Sequence, residues 1–210
     1  MDLRRCVPLR NPVGNMDKAD IKKTGAAVCV FCGSSFGTDP AFRDAARAIG
    51  FGIAKMGYTL VFGGGGLGLM GDVAKAALDG GSAIQGIMPA FLQALEPEVS
   101  PQEKLIVTPH MQERKNLMLQ MSDAFLVLPG GLGTFDEFFE VVTEAQLGVH
   151  AKPIIVVNVN GYFDALDAML HAIIKAGFAR EMVLKLYYLA DGAEAALEIL
   201  EGALNAPARS

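Results

Sequence analysis

Residues 128–140 read LPGGLGTFDEFFE, an apolar end running into Pro-Gly-Gly-x-Gly-Thr and then into an acid-rich helical pattern, with three glycines in the four positions 130–133. Ordinary turns rarely need so many. Glycine removes the Cβ that keeps backbone N–H groups away from an anion, and it reaches the dihedrals such a loop requires. Two more loops of small residues, GSSFGTDP at 33–40 and GGGGLGLMG at 63–71, also follow apolar runs of strand length. Brought to one edge, the three loops would make room for a phosphate, with Gly64 and Gly65 at the backbone and Ser34 or Ser35 as hydroxyl donors. Glu137 would then set a carboxylate beside the bound compound. Arg114 would add a planar, permanently charged set of donors, reinforced by Lys115.

Each of these residues also has a purely structural reading. Thr134-x-x-Glu137 is a capping-box spacing, in which Glu137 would satisfy a backbone N–H at a helix start. Arg114 and Lys115, next to Glu113, could form a solvated helix turn, and Gly63–Gly66 could be a tight turn without a ligand. Gly63, Gly65 and Gly68 satisfy GxGxxG, yet the following strand, SAIQGIMP, supplies no acid for a dinucleotide ribose; Asp79 precedes it. No glycine is followed by Lys-Ser or Lys-Thr, so a P-loop is absent. His110, His150 and His171 lack ligand spacing, and a nucleophilic serine would need a base that the sequence does not identify. Cys29 and Cys32 form a CxxC, but residues three apart on a strand point to opposite faces, which favours core packing. Met111, Met118 and Met121 follow helical spacing and read as core. Neither a metal nor a cofactor is expected.

The elements that must position these residues are legible as periodicity. Apolar runs of strand length stand at 26–32, 59–62, 82–87, 104–107, 124–128 and 153–157. Helical patterns lie between most of them, at 40–57, 69–79, 111–121, 134–147, 163–176 and 192–203. Near-continuous apolar strands alternating with helices predict an α/β fold, a single Rossmann-like doubly wound parallel sheet with helices on both faces. Ligands of such sheets bind beyond the carboxyl ends of the strands, where all three glycine loops would fall.

With 210 residues and 51% hydrophobic composition, the chain can bury one substantial core, assigned to 25–210, behind a polar tail at 1–24. A net charge of −5 gives no footprint for nucleic acid or an anionic membrane as a main partner. Three cysteines without a framework and no apolar run of spanning length suggest a cytoplasmic protein.

Taken together in order and spacing, MQERKNLM at 111–118 and PGGLGTFDE at 129–137 resemble the LONELY GUY family, the cytokinin riboside 5'-monophosphate phosphoribohydrolases. VFCGSS, VFGGGGLGLMG, IMP and AQLGVHAKPI stand in the family's order too. The resemblance implies that water splits the N-glycosidic bond of an adenine-type nucleoside 5'-monophosphate, releasing free base and ribose 5-phosphate. It implies catalytic roles for Glu137 and Arg114, and a nucleotide site drawn from Ser35, Gly64, Gly65, Glu96, Lys115, Gly131, Leu132, Gly133, Thr134, Phe135, Asp136 and Thr143. It also implies a homodimer, which the high apolar content suits. A nucleotide carrier on the same fold, without turnover, is the alternative; the lysine decarboxylase label borne by some relatives finds no pyridoxal phosphate site in the sequence. Three positions depart from the common pattern: Gln112 replaces His, Leu132 replaces Tyr, and Asp136 replaces Glu. Leu132 could change what the base packs against.

Overall fold

The computed structural model describes residues 25–93 and 103–206. The proposed tail at 1–24 and Glu96 lie outside the described residues. Seven strands form one parallel sheet: β1 (Ala27–Phe31), β2 (Thr59–Phe62), β3 (Ile84–Pro89), β4 (Lys104–Thr108), β5 (Ala124–Val127), β6 (Ile154–Val157) and β7 (Tyr188–Ala190), in the order β4-β3-β2-β1-β5-β6-β7. Helices alternate with them: α1 (Pro40–Lys55), α2 (Gly68–Asp79), the single turn α3 (Ala90–Gln93), α4 (Met111–Met121), α5 (Leu132–Gln146), α6 (Asp164–Lys175) and α7 (Gly192–Asn205).

The strand order reverses between β1 and β5, which pair in register from Val28 with Ala124 to Phe31 with Val127. The loops leaving these two strands diverge there. Alternation along each strand feeds two cores. Val28, Val30, Leu60, Phe62, Leu126 and Ile155 meet the helices α1, α2 and α7 on one face, while Cys29, Phe31, Val61, Phe125 and Val156 meet α4, α5 and α6 on the other. The expected doubly wound architecture is therefore observed. So is the separation of the CxxC pair, since Cys29 belongs to one core and Cys32 packs against the other.

Local chemistry sets the helix ends. Asp39 caps α1 by accepting from Ala41 N–H at 2.9 Å, with Pro40 at the first helical position, where its missing donor costs nothing. Three departures from the sequence expectation stand out. The three-residue edge strand β7 was not anticipated; two of its residues are exposed, so its apolar signal is weak. The third strand runs Ile84–Pro89, two residues further along than the expected 82–87. Helix α5 starts at Leu132, two residues before the expected 134.

The glycines after β1 and β2 are needed for protein to meet protein. Gly68 has φ +61°, and a Cβ there would stand 2.2 Å from the Ser34 carbonyl carbon. The amides of the α2 first turn are already spent, because Leu69 N–H donates to Ser35 O at 3.4 Å and Met70 N–H to Gly33 O at 3.2 Å. The β1 loop thus takes the place that an anion would occupy at this helix end.

Gly68 and Gly57 give a paired test. Gly57 also has positive φ, +72°, but nothing lies within 4 Å of its Cβ position. Gly57→Ala should cost only the left-handed strain, about 1–2 kcal/mol. Gly68→Ala, with strain and a backbone collision together, should cost more than about 3 kcal/mol. Urea unfolding midpoints of the two variants check the order, and equal losses would refute the proposed collision.

Candidate active site

A cleft of about 320 Å³ opens at the point where the strand order reverses. The β1 loop contributes Cys32, Gly33 and Ser34, and the stretch after β5 contributes Gly131, Leu132, Gly133, Thr134 and Glu137. Met70, Met88, Leu92 and Met111 form an apolar wall, and Arg114 projects in from α4.

Close backbone approach builds the floor. Gly33 N–H donates to Pro129 O at 3.1 Å, and a Cβ on Gly130 would stand 2.1 Å from Thr134 Oγ1 and 2.7 Å from Gly33 N. Only glycine fits there. Gly131 and Gly133 differ in kind, because open space lies where their Cβ atoms would stand. Gly131 is the N-cap residue of α5 and provides no side-chain cap. The first-turn N–H groups of Leu132 and Gly133 therefore have no helical acceptor and sit at the positive end of the helix dipole, beside the cleft.

Glu137 and Arg114 meet in this cleft. Arg114 Nη1 donates to Glu137 Oε1 at 2.8 Å, and Arg114 Nε donates to the Ile87 carbonyl of β3 at 3.0 Å. Both side chains are nearly closed off from solvent, at 13% and 10% exposure. Burial pushes the Glu137 carboxyl above its usual range, against the opposing pull of Arg114. Gly63 makes the pair possible, since a Cβ there would lie 2.6 Å from Arg114 Nη2. Glu137 is not half of a capping box. With α5 starting at Leu132, Thr134 is its third residue and Thr134 N–H donates to Gly131 O, so the carboxylate is left to the guanidinium.

Lys115 faces the other way. Its Nζ lies 3.0 Å from Asp136 Oδ2 and 3.2 Å from Glu140 Oε2, joining α4 to α5 beside the cleft. Burial opposes its charge, but the hydrogen bonds to Asp136 and Glu140 outweigh that and hold its pKa above the usual value. Gln112 completes the seam by donating to Glu140 Oε1 at 2.9 Å.

The remaining expected site residues divide. Gly131, Leu132, Gly133 and Thr134 line the cleft with Glu137 and Arg114. Gly64 and Gly65 are buried behind it, and Ser35 is exposed with its carbonyl turned to α2, so Ser34 is the serine that reaches the cleft. Phe135 packs edge-to-face on Phe163, and Thr143 is exposed further along α5. Cys32, Gly63 and the methionine wall were not singled out as site residues. Of the three methionines read as core, Met118 is buried and Met121 packs against the core, but Met111 lines the cleft, its sulfur 3.6 Å from Arg114 Nη1. His150 is half-buried, with Nε2 3.0 Å from the Val141 carbonyl oxygen.

Residues 70–200 match the family described as "possible lysine decarboxylase". Among known proteins, the chain is similar to a cytokinin riboside 5'-monophosphate phosphoribohydrolase of Arabidopsis thaliana, 38% identical over 174 residues that cover 83% of this chain and 82% of the relative. A probable enzyme of the same name from Oryza sativa subsp. japonica is 42% identical over 153 residues, 73% of this chain and 69% of the relative. Among solved structures, the molybdenum cofactor binding protein from the phototrophic bacterium Rippkaea orientalis superposes with a TM-score of 0.64, at 23% identity, over 84% of this chain and 96% of that one. At that identity the likeness is one of fold.

The buried pair makes its own prediction. Arg114→Ala strands the Glu137 carboxylate without its partner and should destabilise the protein by about 3 kcal/mol at pH 7. Loss of Arg114 removes the pull that lowers the Glu137 pKa, which burial already raises above 4.5. A folded-state pKa above the unfolded one favours the fold at low pH and is a liability once pH exceeds it. The deficit should therefore shrink on acidification through the raised value, as measured by denaturant unfolding from pH 7 to pH 4. A deficit independent of pH would contradict this account.

Proposed function

The chain belongs to the LONELY GUY family of cytokinin riboside 5'-monophosphate phosphoribohydrolases, and from that premise we propose that it hydrolyses the N-glycosidic bond of adenine-type nucleoside 5'-monophosphates, AMP or its N6-modified cytokinin counterparts, to free base and ribose 5-phosphate. It shares with its named relatives the class of nucleotide N-glycosyl hydrolase. The observation that carries the proposal is the buried Arg114–Glu137 pair, which lines the same cleft as Leu132 and Gly133 at the start of α5.

Each part of the cleft has work in this reaction. The phosphate lies against the amides of Leu132 and Gly133, with Ser34 and Thr134 beside it, where the helix end favours negative charge. The base leans on the apolar wall of Met70, Met88 and Met111, whose flexible thioethers suit a planar ring. As the bond from C1' to the base breaks, the ribose becomes oxocarbenium-like; Glu137 faces that developing cation and orients the water whose oxygen joins C1'. The base leaves with the bonding electrons and a proton. Arg114 keeps the carboxylate ionised and aimed, and its free donors reach toward the substrate.

A carrier without turnover would need the amides and the apolar wall but gains nothing from a buried carboxylate at the sugar. Pyridoxal phosphate chemistry does not fit, because it needs a lysine amine at the cofactor, and among the described residues the lysine beside Glu137, Lys115, is turned into Asp136 and Glu140. Among the described residues, no helix is long and apolar enough to cross a membrane. We further propose a homodimer that covers apolar side chains such as Leu147 and Val149, which are 72% and 63% exposed. Light scattering should give about twice the 22.2 kDa chain mass, and a monomer at micromolar concentration would dismiss it.

If phosphate binding positions the glycosidic bond, AMP and isopentenyl-AMP should be cleaved with kcat/KM at least about 10²-fold above the matching nucleosides. Chromatography of the released bases measures this, and equal values for AMP and adenosine would overturn the phosphate site. Glu137→Gln keeps the shape and an acceptor for Arg114 but removes the charge, so turnover should fall by about 10²-fold or more. The wild-type kcat/KM should drop on acidification through an apparent pKa above 4.5, since burial raises Glu137 and it acts ionised. In Glu137→Gln that acidic limb should vanish; undiminished turnover would remove Glu137 from the mechanism.

A further inference from the structure

The loop after β5 carries two adjacent glycines, Gly130 and Gly131, and the peptide between them has no Cβ on either side to restrain its rotation. Its own side chains therefore do nothing to fix the orientation of that plane. One side chain holds it: Tyr162, on the turn between β6 and α6, donates its hydroxyl to the Gly130 carbonyl oxygen at 2.5 Å. Because a trans peptide directs its N–H opposite to its C=O, fixing that carbonyl behind the loop also fixes where the Gly131 N–H points, away from Tyr162.

Tyr162 is itself unusually constrained. Its ring stands edge-to-face with Phe42 at 5.4 Å and with Phe163 at 4.9 Å. Two residues before it, Asn160 adopts φ +51°, the only positive φ among the described non-glycine residues, and donates to Asp39 at 2.8 Å. Asp39 is the cap of α1, so the turn is tied to the same β1 exit that supplies Gly33 and Ser34. Asn158 closes the turn by accepting from Phe163 N–H at 2.7 Å and donating to Asp164 at 2.8 Å. Asparagine is a side chain that tolerates this left-handed conformation, and its bond to Asp39 holds the turn, and with it Tyr162, against the β1 exit.

We propose that Tyr162 is a positioning residue for the phosphate subsite: its hydroxyl locks the Gly130–Gly131 peptide, and so the N-cap residue Gly131 from which the Leu132 and Gly133 amides of α5 follow, preorganising that helix start for the 5'-phosphate. This rests on the hydrolase reading for the identity of the ligand. It adds a residue that touches no substrate and acts through the peptide plane it holds. Preorganised donors bind without first losing loop freedom, so the tyrosine acts on affinity for the phosphate and leaves the chemistry at C1' alone.

Tyr162→Phe keeps the ring and both aromatic contacts and removes only the hydroxyl. Titration calorimetry with ribose 5-phosphate and, separately, with adenine reads the two halves of the cleft. The expected result is a ribose 5-phosphate Kd weakened about tenfold, the scale of one lost hydrogen bond with its ordering, while the adenine Kd stays within about twofold. With AMP as substrate, KM should rise by a similar factor at nearly constant kcat, and the thermal midpoint should fall by no more than about 2–4 °C. An unchanged ribose 5-phosphate Kd, an equal loss for both ligands, or no ribose 5-phosphate binding by the wild type would each overturn the proposal. Because the main readout is binding, it stands or falls separately from turnover: a wild type that binds ribose 5-phosphate but cleaves no monophosphate would sink the hydrolase reading and still test Tyr162.

Discussion

A carboxylate and a guanidinium taken out of water together constrain everything around them. Glu137 and Arg114 approach to 2.8 Å with little solvent left to either, and such a pair is tolerated only if the remaining donors and lone pairs are met and the geometry is fixed. The sheet supplies what the pair requires. The Ile87 carbonyl at the end of β3 takes Arg114 Nε, the absence of a Cβ on Gly63 leaves room for Nη2, and the Lys115–Asp136 and Lys115–Glu140 bridges hold α4 and α5 together so that neither partner can swing away. A buried ion pair adds little to stability by itself. Its retention at the place where β1 and β5 part is better explained by the charge it keeps there than by the fold it supports.

The glycines divide along the same boundary. Gly33, Gly63, Gly68 and Gly130 are small because protein atoms already fill the space beside them: the backbone of the β1 and β5 loops, Arg114 with Met70, or Thr134. Gly131 and Gly133 are small beside empty space. Only the second group is placed for a ligand. The GxGxxG spacing at 63–68 thus reflects loop-on-loop packing, and the α2 amides that such a motif would normally offer are spent on the β1 loop. The helix start left free to hold the proposed phosphate is that of α5.

This division explains what the sequence could and could not reveal. The central strands were legible because burial on both faces leaves a continuous apolar run, as in AVCVF and AFLV; β7 was not, because three residues at a half-exposed edge carry no such signal. Glu137 and Arg114 were found by motif, but their contact was not, since α4 and α5 come together only through the crossover from β4 to β5. The Thr134-x-x-Glu137 spacing left a capping role open for Glu137, and only the observed N-cap at Gly131, three residues before Thr134, decides against it. Ser34 and Ser35 are indistinguishable by type, yet adjacent residues face opposite ways, and Ser34 alone reaches the cleft. Tyr162 acts through a carbonyl 32 positions away, and no local pattern announces a contact of that kind.

Helix α5 itself arranges opposite demands in series. A phosphate dianion is best held where unpaired N–H groups and the positive end of the helix dipole meet, at Leu132 and Gly133. A developing sugar cation is best stabilised by a carboxylate, which would repel that phosphate if the two stood side by side. Glu137 follows Gly133 by four residues, one full turn on and about 6 Å further along the axis, a spacing comparable with the reach from a 5'-phosphate across a ribose to C1'. One turn of helix therefore separates the proposed anion site from the anionic side chain while keeping both on the cleft side, with Arg114 placed to screen the carboxylate from the phosphate. Exchanging the order of glycines and glutamate along the helix would put the carboxylate at the anion-binding end, so the direction of the motif, glycines first and acid last, follows from electrostatics.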